Sequence, residues 1–500
     1  MTTYPMTAVD AAWYHMDGPA NLAMVTGLLL TKTPLDFQKV RALYKRRLSG
    51  FDRFRQRVVE RGFPVPAPQW EDAPDFDMDQ HVHHIALPAP HDQAALANLV
   101  SDIASTPLDH ALPLWQVHVV DNVNGGSALV MRYHHCIADG TAMMMVIQQL
   151  FDTTPNGTAM TTRPRRMPRV NGGKTKGGQT KGAQTKGGAL DRLLMPALDA
   201  VERSAKEALA AAGAALDAVT HPQEVIEKAG LVLAGAGMVV AELIKWPDPQ
   251  SPFKGEFQIR KKVAWSKPVN IRDIKAIGAP AGAKVNDVLV AGMTGALRAY
   301  LKRRGVDVDH TTVRATVPVD LRPPDKMGQL GNEFGLVILD LPVTKARARD
   351  RLKATKERMD ALKRSPEAIA MWALFDIFGR TPKPIEDLAI QVFGSKASVV
   401  MTNVVGPREK LYLAGTAIDR MMFWVPHPGE QLGMGISILS YEGKAALAVI
   451  ADAHLVPDPE AITQQFNREF EQMLRRVKRA PAVTRRPPRN ARDCSPRRAA

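Results

Sequence analysis

The sequence predicts an α/β chain built from two domains. Three observations lead there. At 500 residues the chain exceeds what one compact core accommodates, so two domains is the natural expectation. Its first third holds a hairpin pattern that runs straight into a helix pattern. Its second half alternates strand and helix patterns, as sheets covered by helices require.

The hairpin comes first. Residues 115–120 and 127–133 read as strands, and Asn124-Gly125-Gly126 between them is a turn signal. The second strand leads into His134-His135-Cys136-Ile137-Ala138-Asp139-Gly140. Asp139 is placed to cap a helix running through Met143 and Ile147. Adjacent histidines on an extended chain point to opposite faces, so one imidazole can face a cavity while the other packs behind it. A neutral imidazole in an apolar channel suits general-base work on a hydroxyl. Satisfied core histidines are the plain alternative, and a metal site would need a third ligand that the segment does not supply.

In the second half, Asn286 or Asp287 can cap a helix through Leu289, Met293, Leu297 and Leu301 that ends before Gly305. This capping explains Asn286-Asp287 without any chemistry. Residues 313–317 and 336–341 read as strands, and residues 434–441 and 446–451 as a hairpin around Glu442-Gly443. Residues 349–364 form a charged helix, most simply a solvated face. Among other histidines, His81, His83 and His84 suggest a metal site, but no carboxylate or thiolate pattern completes one, and none is expected.

The middle divides the chain. Residues 172–188 are a Gly/Lys/Thr-rich stretch expected to be a flexible linker. Leu190, Leu193, Leu194, Leu198 and Val201 then follow helical spacing, on a helix that packs on the body, covers a channel or rests on lipid. The expected organisation is therefore an N-terminal lobe over 1–155, a basic linker over 156–188, a helical connector over 189–254, a C-terminal lobe over 255–478 and a basic tail over 479–500.

Net charge is +15, yet residues 156–188 carry +8 and residues 475–500 carry +9, leaving the remainder near neutral. Such tracts suit an anionic membrane surface at about 1 kcal/mol per cation. Nucleic acid is the rival, but no recognised binding motif accompanies the charge, and no specific nucleic-acid partner is expected. Cys136 and Cys494 give no disulfide framework, which fits a reducing compartment, and Cys136 is expected to serve packing. Residues 1–5 show no secretory signal. No apolar run reaches the ~18 residues of a spanning helix. The nearest, residues 230–241, suits a buried, interfacial or re-entrant helix. The expected location is the cytoplasm, peripherally at the inner membrane face or on lipid bodies.

The His-His-x-x-x-Asp-Gly segment resembles the signature of the CoA-dependent acyltransferase superfamily, and more narrowly of the bacterial wax ester synthase/diacylglycerol acyltransferase family. Ala8-Val9-Asp10-Ala11-Ala12-Trp13 resembles its opening segment, Pro113-Leu114-Trp115 its Pro-Leu-Trp element, and Asn286-Asp287 its Asn-Asp element. Pro318-Val319-Asp320-Leu321-Arg322, Gly331-Asn332-Glu333, residues 402–407 and residues 440–443 resemble further family segments. The likeness covers most of residues 6–475 and is weakest over 160–255.

The resemblance implies two α/β lobes, each a mixed sheet flanked by helices, with a channel between them past the histidines. It implies an O-acyltransferase that moves a long-chain acyl group from acyl-CoA to diacylglycerol, with acyl-CoA as co-substrate and no cofactor. His135 is then the general base, His134 supports packing or orientation, and Asp139, with Gly140 beside it, holds the loop through its cap or a buried arginine pair. Thr402, Asn403 and Ser437 are candidate oxyanion donors. A wax ester synthase using long-chain alcohols is the nearest alternative, and a catalytically weak lipid-surface protein is an alternative of a different class.

Overall fold

The computed structural model describes residues 3–48, 50–60, 68–157, 248–322, 329–363, 394–427 and 432–479. The basic linker, the 190–201 helix, the 230–241 run and the tail from 480, with Cys494, lie outside them.

Two sheets form two lobes. In the first, the strand order is Tyr412–Leu413, Thr416–Trp424, Met24–Thr31, Gly126–His134, Trp115–Val123, Val82–Ala86. All pairs are antiparallel except the last, which is parallel. The expected hairpin is present, and its turn is set by Asn124 and Gly125, both at positive φ (48° and 81°), as a two-residue hairpin turn requires. Met24–Thr31 is buried along its whole length, as befits a central strand covered on both faces.

The second sheet is mixed, in the order Phe334–Leu341, Val313–Asp320, Val399–Val405, Met434–Tyr441, Lys444–Asp452, Lys261–Trp265, and Val269–Asn270 also pairs with Lys444–Asp452. Val399–Val405 is parallel to both its neighbours. The hairpin at Glu442-Gly443 forms as expected, with both residues at positive φ. A third, three-stranded sheet joins Thr3–Pro5, Gln69–Asp72 and Gln56–Val59.

The core of the second lobe is built on the helix Val285–Arg303, buried on nearly every face. The helix Glu460–Arg479 lies close against it. A Cβ at Gly292 would sit 2.7 Å from the Phe470 ring, and one at Gly295 would sit 2.6 Å from Arg351 and Glu469. These two glycines therefore set how near the helices come. Arg351, on the helix Ala348–Leu362, is buried and paired with Glu469. That helix is thus not simply a solvated face: the Arg351–Thr355–Met359 stripe faces the core.

The lobes exchange chain. Thr416–Trp424 leaves the second half to pair with Met24–Thr31 in the first sheet, because the fully buried central strand needs a partner on that edge. Residues 248–254, expected in the connector, belong to the second lobe. Phe253 is in its core, and the buried Asp248 carboxylate accepts from the Arg314 N–H and the Ser398 hydroxyl. The basic stretch expected from 475 begins within a helix, since Glu460–Arg479 continues through its first five residues.

Candidate active site

The strand Gly126–His134 ends at the histidine pair, and the helix Gly140–Leu150 begins just beyond it. Asp139 is the N-cap, its Oδ1 accepting from the Ala142 N–H at 2.8 Å. Between strand and helix the loop is anchored by backbone bonds from His134 N–H to the Leu114 carbonyl and from His135 N–H to the Ala23 carbonyl. Leu114 thus acts through its backbone. Pro113 and Trp115 bracket it, the Trp115 indole donating to the Phe54 carbonyl and stacking on His81.

The two imidazoles face opposite ways, as the alternation predicts. His135 stacks on Trp13, with ring centroids 4.0 Å apart and planes 18° apart. It lines a channel between the lobes with Met16, Val25, Phe334, Leu336 and Phe423. The channel encloses about 1530 Å³ of empty space, part of it open to solvent. Its Nδ1 is fully buried and has no hydrogen-bond partner, so Nε2 is the nitrogen presented to the channel. Burial, opposed by Asp139 and Asn332, lowers the His135 pKa to about 4, leaving the ring neutral at pH 7.

His134 turns toward Asp17, Tyr14 and His110. Its Nδ1 accepts from the Cys136 N–H at 3.2 Å, and its Nε2 lies 3.8 Å from the Asp17 carboxylate. Burial likewise lowers its pKa to about 4. Asp17 accepts from the Ala23 N–H and bonds His110. Burial pushes its carboxyl up, but the His110 bond, His134 and the Ala23 N–H together bring it below its ordinary value. Cys136 is fully buried, and burial raises its thiol well above the usual range.

The second lobe closes over this loop. Arg322 Nη2 meets Asp139 Oδ2 at 2.6 Å, and the Glu333 N–H donates to the same oxygen. Ala138 bridges to Gly331, and the Thr141 hydroxyl donates to Asp320 across the lobes. Asp139 is therefore consumed by its cap, Arg322 and a backbone N–H. Gly140 lies beside Val404 at the channel wall.

The remaining sequence candidates divide. Asp287 caps its helix from the third position, accepting from the Lys284 N–H at 2.8 Å. Asn286 is one residue inside the helix and bonds Asn403 instead. Thr402 and Asn403 line the channel. Ser437 does not: it is buried and its hydroxyl donates to the Phe423 carbonyl, so its proton is already committed. His81 is bonded to the Trp115 carbonyl, His83 faces His118, and His84 bonds Asp121. Among the described residues no group of three or more such side chains is arranged to hold a metal ion.

Several site residues were not assigned roles by sequence reasoning. Asp10, Trp13 and Asn332 sit inside segments that carry the family resemblance, and that was their only signal. Arg53, Asp17 and His110 belong to no such segment, and only the fold brings them to the loop.

Two family models match the chain. The wax ester synthase/diacylglycerol acyltransferase catalytic domain matches residues 6–289, and the C-terminal domain of the same family matches residues 330–474. A probable diacylglycerol O-acyltransferase of Mycobacterium tuberculosis is 25% identical over 495 residues, covering 96% of this chain and 98% of the relative. A putative diacylglycerol O-acyltransferase of the same organism is 27% identical over 469 residues, covering 91% and 89%. The wax ester synthase/diacylglycerol acyltransferase of Marinobacter aquaeolei shares the fold, with TM-score 0.64, 20% identity, and coverage of 95% of this chain and 100% of that one. The first condensation domain of the calcium-dependent antibiotic synthetase shares it at TM-score 0.55 and 15% identity, covering 95% and 95%. With both domain models matched in order across most of its length, the chain belongs to the wax ester synthase/diacylglycerol acyltransferase family.

Proposed function

We propose that this acyltransferase moves a long-chain acyl group from acyl-CoA to the free hydroxyl of diacylglycerol, giving triacylglycerol and CoA. The observation that carries the reading is the neutral His135 ring, stacked on Trp13 and lining an apolar channel between the lobes. The acceptor oxygen attacks the thioester carbonyl while His135 Nε2 takes its proton. The tetrahedral intermediate then expels the CoA thiolate, which receives that proton from the imidazolium. Attack is direct, with no acyl-enzyme, because the buried Cys136 thiol is held protonated and spent on packing. No cofactor enters these steps.

Acceptor class is a matter of channel shape, and the apolar lining accepts a diacylglycerol or a long-chain alcohol alike. The test is CoA release from palmitoyl-CoA with each acceptor in turn. Faster turnover with diacylglycerol supports the reading. Faster turnover with hexadecanol makes the protein a wax ester synthase instead.

The protein would work at a lipid surface. The reading is supported by six arginines against one acid in residues 480–500. No helix among the described residues is long and apolar enough to cross a membrane. Removing 480–500 should weaken binding to anionic vesicles at low salt while preserving turnover of dispersed substrate. Undiminished vesicle binding would assign the surface contact elsewhere.

A further inference from the structure

In the segment Gly331-Asn332-Glu333, the buried side chain of Asn332 is left unused by the acyl-transfer steps. Asn332 is 5% exposed, and its orientation is fixed by its partners. Its Nδ2 donates to Asp10 Oδ1 at 2.8 Å and to the His135 carbonyl at 2.9 Å. Both partners only accept, so the amide nitrogen must lie on that side and Oδ1 on the other. Asp10 is itself immobilised. It is fully buried, takes the Asn332 N–H at 3.1 Å and pairs with Arg53 Nη1 at 2.8 Å. Arg53 also donates to the Cys136 carbonyl. Helix Ala8–His15, the turn at Arg53 and the second lobe thus grip the backbone on both sides of the His135–Cys136 peptide.

Two polar atoms are left over. Asn332 Oδ1 and His135 Nδ1 are both buried and neither makes a well-aligned hydrogen bond to any other group. The Asn332 side chain and the backbone of His135, whose carbonyl Asn332 holds, both act directly on the His135 ring, favouring its protonation against the effect of burial. We propose that Asn332 is a positioning residue that holds His135 in the tautomer with its proton on Nδ1, so that the Nε2 lone pair stands in the channel.

Polar satisfaction selects the tautomer. With the proton on Nδ1, the ring supplies a donor where the amide oxygen and the His135 carbonyl, which Asn332 holds in place, supply acceptors. With the proton on Nε2, a ring lone pair and an amide lone pair are buried together with no proton between them, the arrangement that buried polar groups avoid. In this role a neutral amide replaces the carboxylate that orients the base in triad enzymes. The neighbouring carboxylate, Asp139, is occupied by Arg322, the Ala142 N–H and the Glu333 N–H. The proposal rests on His135 being the base.

The test uses the full chain with ¹⁵N-labelled histidine. The chain has 13 histidines, so the His135 signals are identified by their loss in His135→Gln. Long-range ¹H–¹⁵N correlations at pH 7.5 read which ring nitrogen carries the proton. The expected wild-type result is protonation at Nδ1. In Asn332→Ala the Nε2–H form should grow, with kcat falling about 10-fold or more and KM for palmitoyl-CoA nearly unchanged. A wild-type His135 protonated mainly at Nε2 overturns the proposal, and so does an unchanged tautomer in folded Asn332→Ala. If that variant does not fold, Asn332→Ser, which is smaller and keeps a polar group, is read in its place with the same two outcomes. The spectrum reads the ring whatever the acceptor, so failure of the diacylglycerol reading would appear only in the turnover assay.

Discussion

The Trp13 indole and the His135 imidazole lie nearly parallel at 4.0 Å, which makes a residue near the N-terminus one wall of the proposed base's slot. Trp13 also meets Phe334 from the second lobe, at 6.0 Å, so a single side chain joins the helix Ala8–His15, the histidine loop and the far wall of the channel. Replacing it by alanine removes a buried aromatic and frees the imidazole to rotate. Trp13→Ala should lower stability by about 3–5 kcal/mol and lower kcat, whereas Trp13→Phe should retain most of both. Urea denaturation and steady-state kinetics on the same preparations check this. Full activity in Trp13→Ala would show that the stack does not orient the ring.

The Asp139–Arg322 pair should behave as a clasp. Both side chains are almost fully buried, at 6% and 2% exposure. Removing one partner strands a buried charge, a loss of about 3–5 kcal/mol. Arg322→Met is therefore expected to be strongly destabilising, and adding Asp139→Asn to it should recover part of the loss. A double-mutant cycle measured by denaturation gives the coupling. Strictly additive losses would mean that the two residues do not act together.

Acid should unfold the protein through its buried histidines. His134 and His135 have folded-state pKa values of about 4 against an ordinary 6.5, and His427 about 3, all lowered by burial. Between pH 6.5 and 4 the unfolded chain binds protons that the folded chain refuses, so stability rises with pH across that window and is lost as pH falls through it. His134 and His135 each contribute up to about 3 kcal/mol and His427 up to about 5 kcal/mol. The urea midpoint should hold steady above pH 7 and drop between 6.5 and 4, with a smaller drop in His134→Gln. A flat profile over that range would contradict the burial of these rings in the neutral form.

What the sequence made legible follows from how local each signal is. The hairpin, the Asp139 cap and the helix Val285–Arg303 are specified by residues within a few positions of each other, and they appear where expected. The crossover of Thr416–Trp424 into the first sheet was not legible, because its partner strand lies some 390 residues away and strand patterning does not name a partner. The same holds for Arg351. On a charged helix it reads as solvated until Glu469 arrives from another helix. At the site, His134, His135 and Asp139 announced themselves as one motif. Arg53 and Asp17 did not, being single charged residues whose roles exist only after folding brings Asp10 and His110 beside them. Ser437 was misread as a channel donor because a polar residue on a strand does not reveal which face it occupies. Its hydroxyl points at a neighbouring backbone carbonyl.

The most direct test of the account is CoA release from palmitoyl-CoA and diacylglycerol by wild type and by His135→Ala, with folding of the variant verified by its denaturation midpoint. Wild type should turn over, and the folded variant should fall by the ~10²-fold or more that loss of a general base brings. Equal turnover by the two proteins would contradict the assignment of His135 as the base.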